Sequence, residues 1–202
     1  MQQNDIFQST ITNDETAALP AAQFGGRIIV VDTEARIEEA CRDLASHKVI
    51  GFDTETRPSF RAGAVNRVAL LQLSVPGRCY LFRLCRIKLD KPILRILESR
   101  SIVKVGAAVA GDLAGLRQLR HFRDGGFVDL QTVAPEWGIE EKSLRKLSAI
   151  VLGKKISKAQ RLSNWEAVTL TEPQKIYAAT DAWACAEIYE RLQKTPKTKR
   201  QQ

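Results

Sequence analysis

The sequence predicts an α/β domain with a mixed central sheet flanked by helices, and three observations carry that prediction. Short β-branched and apolar runs recur along the first two thirds of the chain, at residues 28–31, 49–53, 68–74, 79–82, 101–105 and 127–130. Apolar residues at helical spacing lie between several of them. A Pro76-Gly77 turn joins two adjacent runs as a hairpin, which inserts an antiparallel pair into an otherwise alternating strand–helix order. At 202 residues the chain suits one well-buried domain.

The elements follow in order. Residues 1–26 are polar and small, end in Pro20 and Gly25-Gly26, and are expected to form a flexible N-terminal arm. The domain proper is expected over 27–193. Ile28 to Val31 opens it as a strand, and Thr33 is placed to cap a helix carrying Ile37, Ala40, Cys41 and Leu44 on one face. Residues 49–53 read as a central strand that ends in charge, followed by the hairpin. Residues 93–97 are expected to be helical, 101–105 a strand, and Leu113, Leu116 and Leu119 one face of a helix. After a last strand at 127–130 the remainder reads as helices. Residues 194–202 are expected as a basic, solvated C-terminal tail.

Composition narrows the function classes. The hydrophobic fraction of 44% is that of a folded globular chain. The formal net charge of +8 and pI near 9.5 favour polyanionic partners, of which nucleic acid is the commonest. Lys154, Lys155, Lys158 and Arg161 form a basic stretch suited to tracking a phosphate backbone, or equally to a solvated loop. The N-terminus lacks the basic and apolar regions of a signal peptide, and no apolar run is long enough to span a bilayer. Cys41, Cys79, Cys85 and Cys185 have no zinc spacing and are expected as reduced, mostly buried thiols. A cytoplasmic protein with no membrane role and no organic cofactor is the expectation, and protein partners are not legible.

The chemistry-bearing residues are acidic. Asp53 and Glu55 stand at i and i+2 on a strand, so both point to one face, where they repel each other unless a cation lies between them. A hard divalent ion that prefers oxygen ligands supplies that charge; an acidic strand-to-loop turn is the bland alternative. Asp112 follows the glycines Gly106 and Gly111, either as a third carboxylate or as the N-cap of the next helix. Tyr177 and Asp181 lie at i and i+4, one turn apart on a helix that starts at a Thr171–Gln174 capping box with Pro173 in its first turn. The alternative there is a half-buried tyrosine and a solvated aspartate.

Together, Asp53-Thr54-Glu55, the strand from Lys104 that leads to Asp112, and Tyr177 with Asp181 resemble the motifs of the DEDD superfamily of 3′→5′ exonucleases. The order and separations are similar to the tyrosine (DEDDy) branch, which contains ribonuclease D and the exonuclease domain of the Werner-syndrome helicase. The resemblance covers roughly residues 27–192, including 68–73 and Leu162-Ser163-Asn164-Trp165-Glu166. The histidine branch needs His at position 176, where this chain has Ile176.

The resemblance implies a ribonuclease-H-like (DnaQ-like exonuclease) fold and two divalent ions, Mg²⁺ or Mn²⁺, about 3.5–4 Å apart. It implies that Asp53 bridges both ions, Glu55 and Asp181 complete one site, Asp112 holds the other, and Tyr177 orients the attacking water. The implied substrate is the 3′ end of DNA or RNA, and the product a 5′-nucleoside monophosphate. A non-catalytic nucleic-acid-binding module on the same fold and a ribonuclease-H-like endonuclease are the competing readings.

Overall fold

The computed structural model describes residues 6–57 and 67–198. Its strands are β1 (Arg27–Val31), β2 (Val49–Thr56), β3 (Val68–Val75), β4 (Arg78–Phe82), β5 (Val103–Gly106) and β6 (Phe127–Asp129). The α-helices are α1 (Asn13–Ala18), α2 (Ile37–Ala45), α3 (Lys91–Glu98), α4 (Val109–Leu119), α5 (Leu130–Val133), α6 (Leu144–Leu152) and α7 (Glu172–Gln193). The strands form one sheet in the order β1-β4-β3-β2-β5-β6. β3 runs antiparallel to both of its neighbours, whereas β1 pairs with β4, and β5 with β2 and β6, in parallel. This is the expected mixed sheet, and β3–β4 is the expected hairpin, turned at Gly77 with φ of 75°.

Helices cover both faces, so β3 is buried along its whole length. On one face Phe52, Leu71, Leu73 and Phe82 pack with Ile37 and Leu44 of α2, Ile93 and Leu97 of α3, and Leu113 and Leu116 of α4. On the other, Leu70 and Leu81 meet Ala178, Ala179 and Ala182 of α7. The alanines let α7 lie close to the sheet. At Gly51 the approach is so close that a β-carbon would stand 1.9 Å from the carbonyl oxygen of Ala182, so only glycine fits. Asp43 ties α2 to β4 by accepting hydrogen bonds from Arg78 Nε and Nη2, both at 2.9 Å, and from the Tyr80 hydroxyl at 2.6 Å.

Several expectations need correction. The described part of the N-terminal arm, residues 6–26, is packed rather than free. Thr12 and Glu15 form a capping box on α1, and Phe7, Ile11, Ala22 and Phe24 are buried. The Ala22 N–H donates to Lys155 O at 2.8 Å and the Lys155 N–H to Pro20 O at 2.9 Å, a strand-like bridge that no local pattern announces. Thr33 makes no capping hydrogen bond; a 3₁₀ turn, Glu34–Arg36, precedes α2 instead. The tail is anchored at its start. The Trp137 indole donates to Thr195 O at 2.8 Å, and Lys197 lies over the Trp137 ring and pairs with Glu136; positions 199–202 are outside the described residues. Residues 154–170 are turns rather than helix. There Ser163 to Glu166 form an Asx turn, with the Glu166 N–H donating to Asn164 Oδ1 at 3.1 Å. No helix among the described residues is long and apolar enough to cross a membrane. Cys41, Cys79 and Cys185 are buried free thiols and Cys85 is exposed.

Candidate active site

Strand alternation builds one half of the site. Phe52 enters the core on the α2–α4 face of the sheet, so Asp53 and Glu55 rise on the opposite face, under α7. α7 starts at the Thr171–Gln174 capping box with Pro173 in the first turn, as expected, and brings Asp181 down onto β2. Ligand oxygens of Asp53, Glu55 and Asp181 lie within 4.8 Å of one another. Asp181 is buried, its Oδ1 has no hydrogen-bond partner among the described residues, and Glu55 is nearly as buried.

Asp112 arrives from the other side. It is not the N-cap of α4 but lies within its first turn, where its Oδ1 accepts a 2.6 Å hydrogen bond from the Thr54 hydroxyl. Thr54 points away from Asp53 and Glu55 because strand parity reverses at each residue. Asp112 therefore stands beside the cluster of three, close enough for its charge to act on Asp53 and Glu55.

The cap that Asp112 does not supply comes from Asp129, a residue that the sequence reading passed over. Its Oδ1 accepts from the Ala108 N–H at 3.1 Å and the Gln131 N–H at 2.9 Å, and its Oδ2 accepts from the Val109 N–H at 2.9 Å. One carboxylate at the end of β6 thus caps both α4 and α5. Ala108 is held in the left-handed region at φ 66°. The signal was present, since an aspartate at a strand end just before polar residues is a capping pattern, but nothing local tells that it reaches back 21 positions.

Electrostatics say what the site lacks. Burial, then the charges of Asp181, Asp112 and Glu55, push the Asp53 carboxyl well above the carboxylate range. Burial first, then Asp181 and Asp112, push Glu55 up to about 9. Burial raises Asp181 to about 7 and Asp112 to about 6, against the lowering effects of Tyr177 and Thr54. Four carboxyl groups that each resist ionisation, one with an orphaned buried oxygen, form an all-oxygen donor set short of positive charge. That set fits hard divalent cations. Tyr177 shares the site, its ring tilted at 35° to the buried Trp165 with centroids 6.0 Å apart. Trp165 is a core residue.

A slot of about 220 Å³ opens beside Tyr177 and Asp181. Apart from Asp181, its walls carry no charged side chain: Ala22 and Gln23 come from the N-terminal segment, and Ile156, Ser157 and Gln160 from the loop before α7. None of the four basic residues expected to bind nucleic acid lines it. Lys155 and Lys158 line an adjacent groove with Arg145, and Lys155 Nζ is already committed to Ala17 O at 2.5 Å. Lys154 and Arg161 are exposed.

The chain is 38% identical over 201 residues to the mouse bifunctional 3′-5′ exonuclease/ATP-dependent helicase WRN, an alignment covering 95% of this chain and 14% of that protein. It is 30% identical over 198 residues to a 3′-5′ exonuclease of Arabidopsis thaliana, covering 88% of this chain and 67% of that one. Against the first, then, it spans about one seventh of a much longer protein. The crystal structure of the EXO domain of Aedes aegypti Nibbler superposes with a TM-score of 0.77 at 24% identity, over 86% of this chain and 92% of that one, which speaks to a shared fold. The profile of the 3′-5′ exonuclease family matches residues 28–196, nearly the whole sheet-and-helix unit that carries the carboxylates, and the chain belongs to that family.

Proposed function

We propose that this chain is a metal-dependent 3′→5′ exonuclease that hydrolyses terminal phosphodiesters of DNA or RNA and releases 5′-nucleoside monophosphates. The observation that carries the reading is the convergence of Asp53, Glu55 and Asp181 within 4.8 Å, from two separate elements, with Asp112 held alongside by Thr54. Asp53, Glu55, Asp112 and Asp181 would hold two divalent ions, Mg²⁺ or Mn²⁺. When bound, such ions neutralise the carboxylates and supply the Lewis acidity that lets water attack an anionic phosphodiester.

The chain's own residues do the rest. Burial and the neighbouring carboxylates keep the Tyr177 phenol protonated, so its hydroxyl acts as a hydrogen-bond donor that orients the nucleophile or the phosphate and not as a base. The slot, free of basic side chains, suits a terminal base or sugar, and Lys154, Lys158 with Arg145 beside it, and Arg161 suit the phosphates that follow. Lys155 serves the N-terminal segment first.

The test is product analysis on a strand labelled at its 5′ end, in Mg²⁺ or Mn²⁺ and again in excess EDTA after stripping. A ladder shortening from the 3′ end, with mononucleotide release that stops in EDTA, is expected. Internal fragments would indicate an endonuclease, no cleavage a binding module, and full activity in EDTA would exclude the metal site.

A further inference from the structure

Gln72 lies in the middle of β3, fully buried, and neither Nε2 nor Oε1 has a hydrogen-bond partner among the described residues. A primary amide carries two N–H donors and a carbonyl acceptor, and burying them unmade loses their hydration with nothing in return. Packing gives no reason for the choice. Ser74 is the other polar residue of β3 and its hydroxyl is placed against Arg78 O, while Leu70, Leu71 and Leu73 surround Gln72 along the strand. A leucine at position 72 would bury apolar surface without the loss.

The register supplies a reason. Gln72 is directly opposite Asp53 in the antiparallel ladder. Residues so placed send their side chains to the same face, with β-carbons about 4.5–5.5 Å apart, so a glutamine amide reaches a facing carboxylate by side-chain rotation alone. That face is the one covered by Ala178, Ala179 and Ala182 of α7, which encloses the Gln72 amide on the same side of the sheet as the carboxylates. The same layer contains the orphaned Oδ1 of Asp181. Unpartnered donors and an unpartnered acceptor are thus buried in the layer around Asp53.

We propose that Gln72 is a positioning residue of the carboxylate site, whose side-chain amide donates to Asp53 and holds that carboxylate in the orientation that ligates a divalent cation. This rests on the metal-site reading above. It explains an amide in an otherwise apolar strand, in the way that groups behind metal ligands commonly orient them.

Gln72→Met keeps the length of the side chain and deletes its polar atoms, and Gln72→Leu does the same in the form its neighbours take. The metal-stripped full chain is titrated with Mn²⁺ by calorimetry, and its melting temperature is recorded without metal. Metal-free melting should stay level or rise, since an orphaned amide is gone, while Mn²⁺ affinity falls 10–100-fold, the usual range for losing an outer partner of a ligand. Variants that bind Mn²⁺ like the wild type overturn the role of Gln72 and leave the metal site standing. A wild-type chain that binds no Mn²⁺ removes both. Should neither variant fold, the assigned Gln72 side-chain amide resonances of the wild type decide. They should move downfield on titration with Mg²⁺, and resonances that stay in place overturn the proposal.

Discussion

Tyr177 stands four residues before Asp181 on α7, its ring against Trp165, and burial together with the charges of Asp181, Glu55 and Asp53 raises its phenol from an ordinary value of about 10. A phenol so placed stays protonated throughout the physiological range. Its use is therefore directional: one O–H aimed into a layer of acceptors. Tyr177→Phe keeps the ring packing and removes that one donor. Single-turnover cleavage should slow by about 10²–10³-fold, the usual span for losing one positioned hydrogen-bond donor, with melting temperature and Mn²⁺ affinity close to wild type. An unchanged rate would make Tyr177 a packing residue and take it out of the mechanism. At this scale much was legible in the sequence. The i, i+2 spacing of Asp53 and Glu55 and the i, i+4 spacing of Tyr177 and Asp181 each specify a shared face once strand or helix is assigned. Thr54 and Gln72 were not legible as partners of the site. One depends on which helix covers the far face, the other on the register of β2 against β3, and neither is written in any single segment.

The element that places Asp112 is a short turn under several constraints. At Gly106 a β-carbon would come within 3.0 Å of the Phe52 ring and 2.9 Å of Val109, so any larger residue where β5 gives way to α4 would push these side chains aside. Ala108 then adopts a left-handed conformation that costs a residue with a β-carbon about 1–2 kcal/mol. Asp129 offsets this by bonding the N–H groups of Ala108 and Val109, which fixes the start of α4 and hence the direction in which Asp112 leaves it. Asp129→Ala should lower unfolding free energy in urea by about 1–3 kcal/mol, as expected for losing a multiply bonded cap. Turnover should fall further than that loss explains, because Asp112 is no longer aimed at the site. Ala108→Gly, by contrast, should raise stability by up to about 1 kcal/mol with activity retained. A stable Asp129→Ala variant with wild-type turnover would show that the turn holds its shape without the cap. The chain read in isolation left Asp112 as either a third carboxylate or the N-cap, because a polar residue at the head of a helix is a sound local signal. The contest between Asp112 and Asp129 is decided only when β6 pairs in parallel with β5 and brings the two ends together.

Across the whole molecule the sheet was well anticipated and the periphery was not, and the reason is physical. Strand runs, the Pro76-Gly77 hairpin and the capping box that starts α7 are local in sequence, whereas the segment at residues 6–26 is held by a few buried side chains and by hydrogen bonds to distant partners. The Phe24 N–H donates to Thr180 Oγ1, 156 residues away, and Ala22 pairs with Lys155. That segment also walls the slot beside Asp181, so a stretch that reads as a polar arm becomes part of the site. The site in turn imposes a cost on the fold that metal relieves. In the metal-free protein Asp53, Glu55, Asp112 and Asp181 face one another, with Asp129, Tyr177 and the buried Cys79 and Cys185 around them. All four carboxyls titrate above their unfolded values near 4, with Asp112 at about 6, Asp181 at about 7 and Glu55 at about 9. The folded state thus binds more protons than the unfolded one between about pH 4 and 9, so stability is fullest below pH 4 as far as these groups go and declines as pH rises through that window. Each carboxyl held protonated only in the fold costs about 1.4 kcal/mol per pH unit, or about 3–5 °C in melting temperature for a domain of this size. Scanning calorimetry of EDTA-stripped protein from pH 5 to 9 should therefore show falling melting temperatures, and saturating Mg²⁺ should raise them most at the alkaline end, where ion binding no longer has protons to displace. Asp181→Asn should flatten the metal-free decline and shrink the Mg²⁺ effect together. A melting temperature that is level from pH 5 to 9 without metal, or a Mg²⁺ effect equal at both ends, would mean that these carboxylates are solvated apart and do not form a cation site.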